Sequence, residues 1–388
     1  MNVDKWATNQ LARWEKEGLS RHLETFRSGQ EAISTIGSSE FGLFSSSNYL
    51  GLSAHSRVIE AASRALKTFG IGTGGSRLTT GTTSLHSEVE VALAQFLGFP
   101  DATLFASGYD ANVSTLQALA GPDLTIISDR KNHASIIDGC SLAKARGAVI
   151  EVVNHRDARA IEGVLKNRRT ERALVVTDGL FSMDGTVARV PELMRICSLC
   201  DAALMIDDAH AIGTLGIRGR GSMEYWNPKP SDQPDIVVAT ASKALGSQGG
   251  FVASTPAVTR LLRQQARSFA FSTSLSASTC AAILAALELL QESTDLVRRL
   301  RENARLMRVE LGLTDEYSGP IVPIPVGDER IAVRVAERLR ARGWFVPAIR
   351  WPSVPRGQAI IRATVMATHT EQQIRAFAAD VRAAIRTS

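Results

Sequence analysis

Lys243 stands in "ATASKALGSQGG", directly after the apolar, β-branched run "DIVVA" and among small side chains. A lysine at the end of a buried strand loses hydration, which favours its neutral amine and makes it a nucleophile able to form a Schiff base. Taken alone, the stretch also fits a surface lysine in a Gly-rich loop. A second group follows another apolar run, in "ALMIDDAHAIG", where Asp207 ends the run and His210 lies three residues on. A carboxylate in that position needs a partner. No third ligand stands at a convincing spacing, so no metal site is expected. A third group, "LFASGYDANVS", runs from a strand through Ser107 and Gly108 into a helix opening at or near Asp110. The free amides of a helix N-terminus suit a phosphate. Together, a lysine, an acid, a histidine, hydroxyls and a phosphate-binding turn match the needs of pyridoxal phosphate. That cofactor takes a lysine for its aldehyde, an acid facing its pyridine nitrogen and donors for its phosphate.

The order of elements must bring these groups together. Between about 100 and 255, short apolar runs such as "LTIISD", "ALVVTDG" and "GFVAST" alternate with amphipathic helical stretches. That alternation predicts an α/β fold with a mostly parallel sheet covered by helices. Ligands of such sheets bind at the carboxyl ends of the strands. Ser107 to Tyr109, His133, Asp178 to Asp184, Asp207 to His210 and Thr240 to Lys243 all fall there. Residues 1–45 read as an N-terminal helical segment and 46–290 as a large cofactor-binding domain. Residues 291–388 read as a small α+β C-terminal domain built around "PIVPIPV", "WFVPAIR" and "QAIIRATV". Helices are expected over 256–270 and 278–310.

With 388 residues, 44% of them hydrophobic, the chain can bury a large core, and its net charge of +5 suits a polyanionic small molecule. No nucleic-acid module accompanies that charge, so nucleic acid is not an expected partner. Arg298, Arg301, Arg305 and Arg308 recur at helical spacing and read as a solvated face. Cys197 and Cys200 have no second pair and read as small apolar residues of a half-buried helix. The N-terminal stretch lacks the apolar core of a signal peptide, and "CAAILAAL" is too short to span a membrane. A cytoplasmic protein with no membrane partner is expected.

Further stretches join the three groups: "NYLGL" at 48–52, "NHAS" at 132–135, "DGLFSMDG" at 178–185, "RGRGS" at 218–222 and "AIRWPSVP" at 348–355. With them, nearly the whole chain resembles the α-oxoamine synthase family of fold-type I pyridoxal-phosphate transferases. The resemblance implies that Lys243 carries the cofactor and moves the substrate's α-proton, while Asp207 pairs with the pyridine nitrogen. It implies that His210 bonds the ring oxygen with Ser182 nearby, and that Gly108, Tyr109 and Thr240 bind on the phosphate side. His133 would stack on the ring and touch substrate. Thr273, in "FSTSLS", would reach the phosphate of a neighbouring subunit, giving a homodimer with shared sites.

Members of the family condense glycine, serine or alanine with different acyl thioesters. Arg350 and Arg21, with the chain's length, point to the branch that joins L-alanine to pimeloyl-CoA or pimeloyl-ACP with loss of carbon dioxide, a step of biotin synthesis, and Ser353 is a further expected substrate contact. Glycine-using relatives, of the aminoketobutyrate ligase or aminolevulinate synthase type, are the alternative. A non-catalytic subunit is a further one, against which both Lys243 and Asp207 are retained. Arg362 would grip the amino-acid carboxylate. The chain departs from the family before "YLGL": Ser47 and Asn48 stand where relatives carry Asn followed by Asp or Asn, so a carboxylate contact falls to Ser47 or is displaced to Asn48. Trp351 replaces a proline in the acyl region.

Overall fold

The computed structural model describes residues 1–20, 23–226, 233–313 and 319–386. Two short strands, β1 (Ile33–Ile36) and β2 (Ser39–Leu43), precede a central sheet. The sheet consists of β3 (Asp101–Phe105), β4 (Leu124–Asp129), β5 (Val149–Val153), β6 (Arg172–Asp178), β7 (Ala203–Asp207), β8 (Ile236–Thr240) and β9 (Gly250–Ser254). Their spatial order is β3-β9-β8-β7-β6-β4-β5. β9 runs antiparallel to both its neighbours, β3 and β8; the other pairings are parallel. Every residue of β4, β8 and β9 is buried, as expected of strands covered on both faces. The mostly parallel sheet is the one the alternating apolar runs predict.

The register matters for chemistry. Asp178 and Asp207 end neighbouring strands as paired residues. Val238 pairs with Asp207 on the other side, and β8 runs on to Thr240, three residues before Lys243. Two acids and a lysine therefore reach the same edge through strand pairing alone.

Beyond the sheet lie β10 (Ile321–Gly327), β11 (Trp344–Phe345), β12 (Ala348–Ile349) and β13 (Ala359–Thr364). β13 lies between β10 and β12 in an antiparallel sheet. Helices Glu329–Ala341 and Glu371–Arg386 bury Val335, Leu339, Phe377 and Val381 against it. β11 pairs with β2, which ties the N-terminal strands to this C-terminal unit.

Three readings change. The helix expected over 256–270 breaks at the extended Ala266 into Pro256–Gln265 and Arg267–Phe271. The helix expected over 278–310 is two helices, Ala277–Glu292 and Asp295–Leu311. Ser293 is extended between them, and its hydroxyl accepts the Asp295 amide at 3.1 Å. Side-chain oxygens that bond nearby backbone compete with helix continuation. Arg308 is not part of a solvated face. It is 5% exposed and donates to the carbonyls of Gly319 and Ile321 at 2.9 and 2.8 Å. A buried guanidinium is tolerated when its donors are used. Cys197 is buried and Cys200 partly so, both as free thiols. No helix among the described residues is long and apolar enough to cross a membrane.

Candidate active site

β8 ends at Thr240, whose hydroxyl donates to the Gly249 carbonyl at 2.7 Å and receives the Ser242 amide at 3.2 Å. The chain then turns tightly, with the Gly246 amide on the Lys243 carbonyl and the Ser247 amide on that of Ala241. Gly246 has φ +63°, and a β-carbon there would lie 2.3 Å from the Ser53 nitrogen. Small residues are needed because this turn is pressed against the loop after "NYLGL". Lys243 is half-buried within it. Burial, helped by the charge of Arg362, lowers its pKa against the opposing pull of Asp207 and Asp178.

Asp207 is 5% exposed, and its two oxygens are used differently. One accepts the Ala209 amide at 2.9 Å, and the other accepts the Asn112 side-chain amide at 2.6 Å. Asn112 also donates to Ser135 at 2.9 Å, while its own oxygen is buried without a protein partner. Asp178 accepts the His133 amide at 3.1 Å. Burial and the neighbouring Asp207 push its carboxyl well above the usual range. The His133 ring caps its own helix through Ser135, with Nδ1 2.7 Å from the hydroxyl and 3.3 Å from the amide nitrogen. Its pKa is lowered, first by burial.

His210 is reached from the opposite side. Its Nδ1 lies 2.7 Å from the hydroxyl of Tyr49, which is fully buried. Burial pushes the Tyr49 phenol above its usual range, against the charge of Arg362 and hydrogen bonds from Ser47 and Arg362. The Arg362 Nε donates to the Ser182 carbonyl at 2.6 Å. The departure at 47–48 thus resolves. Asn48 turns away, donating to the Gln30 carbonyl at 2.8 Å and the Ser53 hydroxyl at 2.7 Å. Ser47 acts instead on the neighbouring Tyr49 phenol.

These groups enclose a cavity of about 230 Å³ lined by Ser107, Gly108, His133, Asp207, His210 and Lys243, with Tyr109, Thr240 and Ser242 also on its wall. The helix Gly108–Leu119 begins there, capped by Ser107 on the Asp110 amide. Its first amides have no acceptor within the helix. A β-carbon at Gly108 would come 3.1 Å from Thr240, a tight contact to which the Thr240 side chain would have to give way slightly. An anchoring amine, a buried acid on the far side, hydroxyls and open amides at a helix start form a donor set that fits pyridoxal phosphate.

Not every expected residue lines this cavity. Tyr109 does, but its hydroxyl is exposed and donates to Asp138. Ser182 contributes its carbonyl to Arg362. Thr273 is exposed and pairs with Ser76 beside a separate crevice that includes Arg77 and His86. Arg350 and Ser353 line another hollow with Ser20 and Trp351, where Arg350 donates to the Ser20 carbonyl at 3.2 Å. Arg21 lies outside the described residues. Sequence reasoning missed Asn112 and Tyr49. Asn112 follows Gly108 by one helical turn and so shares its face, a signal present in "SGYDAN". Tyr49 gave no signal, since its partner His210 is 161 residues away.

Residues 40–381 match the family model for aminotransferase class I and II. An 8-amino-7-oxononanoate synthase of Lysinibacillus sphaericus is 40% identical over 93% of this chain and 92% of its own. A biotin biosynthesis bifunctional protein of Corynebacterium kroppenstedtii is 42% identical over 96% of this chain, which spans only 57% of that relative's length. Among solved structures, a serine palmitoyltransferase from S. paucimobilis with bound pyridoxal phosphate–myriocin aldimine superposes with a TM-score of 0.92 at 30% identity, covering 100% of this chain and 99% of that one. An 8-amino-7-oxononanoate synthase from Francisella tularensis gives 0.75 at 26% identity, covering 89% and 98%. The chain belongs to the aminotransferase class I and II family and is similar along most of its length to an 8-amino-7-oxononanoate synthase.

Proposed function

We propose that the protein condenses L-alanine with a pimeloyl thioester, giving 8-amino-7-oxononanoate, carbon dioxide and the free thiol of coenzyme A or acyl carrier protein. The observation that carries this reading is the placement of Lys243 in a cavity with Asp207, Asp178 and His133, in a chain 40% identical to a synthase of that name. Pyridoxal phosphate, when bound, supplies an electron sink for negative charge developing at the amino acid's α-carbon. Lys243, with its amine pushed toward the neutral form, takes the α-proton and later returns one. Asp207, held by Asn112 and the Ala209 amide, offers a fixed negative charge to the pyridine nitrogen. The amides of Gly108 and Tyr109 and the Thr240 hydroxyl hold the phosphate side. His133 covers the ring face, and Arg362, with Ser47, grips the amino-acid carboxylate through paired hydrogen bonds. Arg350, Ser353 and Arg21 receive the acyl chain. Thr273 serves the site of a second copy in a cytoplasmic homodimer.

The superposition on serine palmitoyltransferase favours a second reading, serine with a long acyl chain. Sequence identity favours the first, at 40% against 30%. Carboxyl-labelled alanine separates them from the outset. Labelled carbon dioxide should appear only when pimeloyl thioester is added, together with an amino ketone of the expected mass. Release from serine with a long-chain thioester, and none from alanine, would replace the proposal.

A further inference from the structure

The geometry points to Tyr49 as the positioning residue that fixes the tautomer of His210, so that Nδ1 accepts and Nε2–H is presented to the cavity. The argument begins with proton inventory. Arg362 has donors and no acceptor, and its charge favours the ionised phenol, so it cannot take the Tyr49 proton. Ser47 acts on the phenol in the same direction, favouring the ionised oxygen, as a donor toward that oxygen does. Among the described residues the close hydrogen-bond partner of this hydroxyl is His210 Nδ1 at 2.7 Å, and a fully buried O–H needs an acceptor, so its proton is directed there. His210 is 8% exposed, and burial together with Lys243, Arg362 and His133 keeps its ring neutral. A neutral imidazole carries a single N–H, and which nitrogen bears it is set by the bond the other makes. His210 lines the cavity while Nδ1 is engaged by a fully buried phenol, so Nε2 is the nitrogen that serves the site.

The consequence rests on the reading that His210 faces the cofactor's ring oxygen. A donor there stabilises that oxygen's charge, whereas the other tautomer would place a lone pair against it. The charge of Arg362 acts on the same phenol, so the group proposed to hold the amino-acid carboxylate and the group proposed to hold the ring both bear on one buried hydroxyl. Tyr49 itself does not line the cavity.

The test is nitrogen-15 NMR of the histidine-labelled holoprotein, repeated after cofactor removal. The seven histidines make His210→Gln sufficient to assign its signals. Wild-type His210 should show a non-protonated Nδ1 and a protonated Nε2 in both forms. In Tyr49→Phe the two signals should move toward one another as the tautomers mix. Cofactor affinity should fall by about 2- to 10-fold, the range for losing one neutral hydrogen bond. A protonated Nδ1 in the wild type, or unchanged signals in Tyr49→Phe, would overturn the inference. Should that variant not fold, the wild-type spectrum alone decides. A protein that never takes up pyridoxal phosphate would instead refute the reading of the site, and the cofactor-free spectrum would still judge Tyr49.

Discussion

In the proposed reaction Lys243 and Asp207 divide the work of the cavity between a group that moves a proton and a group that holds charge still. Lys243→Ala removes the only amine on the cavity wall among the described residues. It should fold, lack the visible Schiff-base absorbance and lose turnover by on the order of a thousandfold or more. A spectrum and a thiol-release assay on the same sample check this. Asp207→Asn keeps the size and most of the hydrogen bonding but not the charge. Charged hydrogen bonds contribute roughly 1.5–3 kcal/mol, so cofactor affinity should drop by about 10- to 100-fold. Cofactor titration followed by absorbance reads it. Both residues were legible in the sequence because an apolar run announces where a buried strand ends. The fates of Ser47 and Asn48 were not legible. Adjacent residues in a turn face opposite ways, and only the positions of Gln30 and Ser53 settle which way Asn48 turns.

Among the elements, the turn after β7 carries a second acid with a different task. Asp208 is 1% exposed and accepts the Ser222 amide at 2.9 Å on one oxygen, while its other oxygen is buried without a partner. Burial raises its pKa to about 7, although the Ser222 bonds oppose the shift. A carboxyl whose folded pKa exceeds its unfolded value binds more protons when folded. Stability from this group is therefore complete at pH values below about 4 and declines as pH rises toward 7, with a slope on the order of 1 kcal/mol per pH unit. Asp178, raised as well, adds to the same trend. Asp208→Asn keeps an acceptor for Ser222 and should flatten the decline, with much smaller effects on cofactor binding than Asp207→Asn. Denaturant unfolding at pH 5 and pH 8 measures it; an unchanged difference between the two pH values would count against a neutral Asp208. At this scale the central strands were readable from continuous apolar runs. The break at Ser293 and the inward turn of Arg308 were not. Helical spacing gives a face, but it cannot say that the strand carbonyls of Ile321 and its neighbours will cover one end of it.

Across the whole molecule, Arg362 and Arg350 lie on or beside the same small sheet, Arg362 on the Ser182 carbonyl and Arg350 in the hollow with Ser20. Arg362→Ala should raise the alanine concentration needed for half-saturation by about 10- to 100-fold, as loss of a charged, paired hydrogen bond implies. Arg350→Ala should leave alanine binding near normal and impair the thioester half of the reaction. Absorbance titration with alanine, followed by thiol release on adding thioester, separates the two. Equal losses in both steps would mean that Arg350 merely braces Ser20. The fold class was readable from the order of elements. The hollow around Arg350 was not, because it forms where the N-terminal segment meets β11 and β12, more than 300 residues further on. The central claim concerns which amino acid and which acyl group meet in this molecule. The direct measurement is thiol release by the holoprotein across alanine, glycine and serine, each paired with pimeloyl, acetyl, succinyl and palmitoyl thioesters. The account predicts that alanine with the pimeloyl thioester exceeds every other pair by at least about tenfold, a gap of about 1.4 kcal/mol in transition-state stabilisation. A maximum at glycine, or at serine with the palmitoyl thioester, would contradict it.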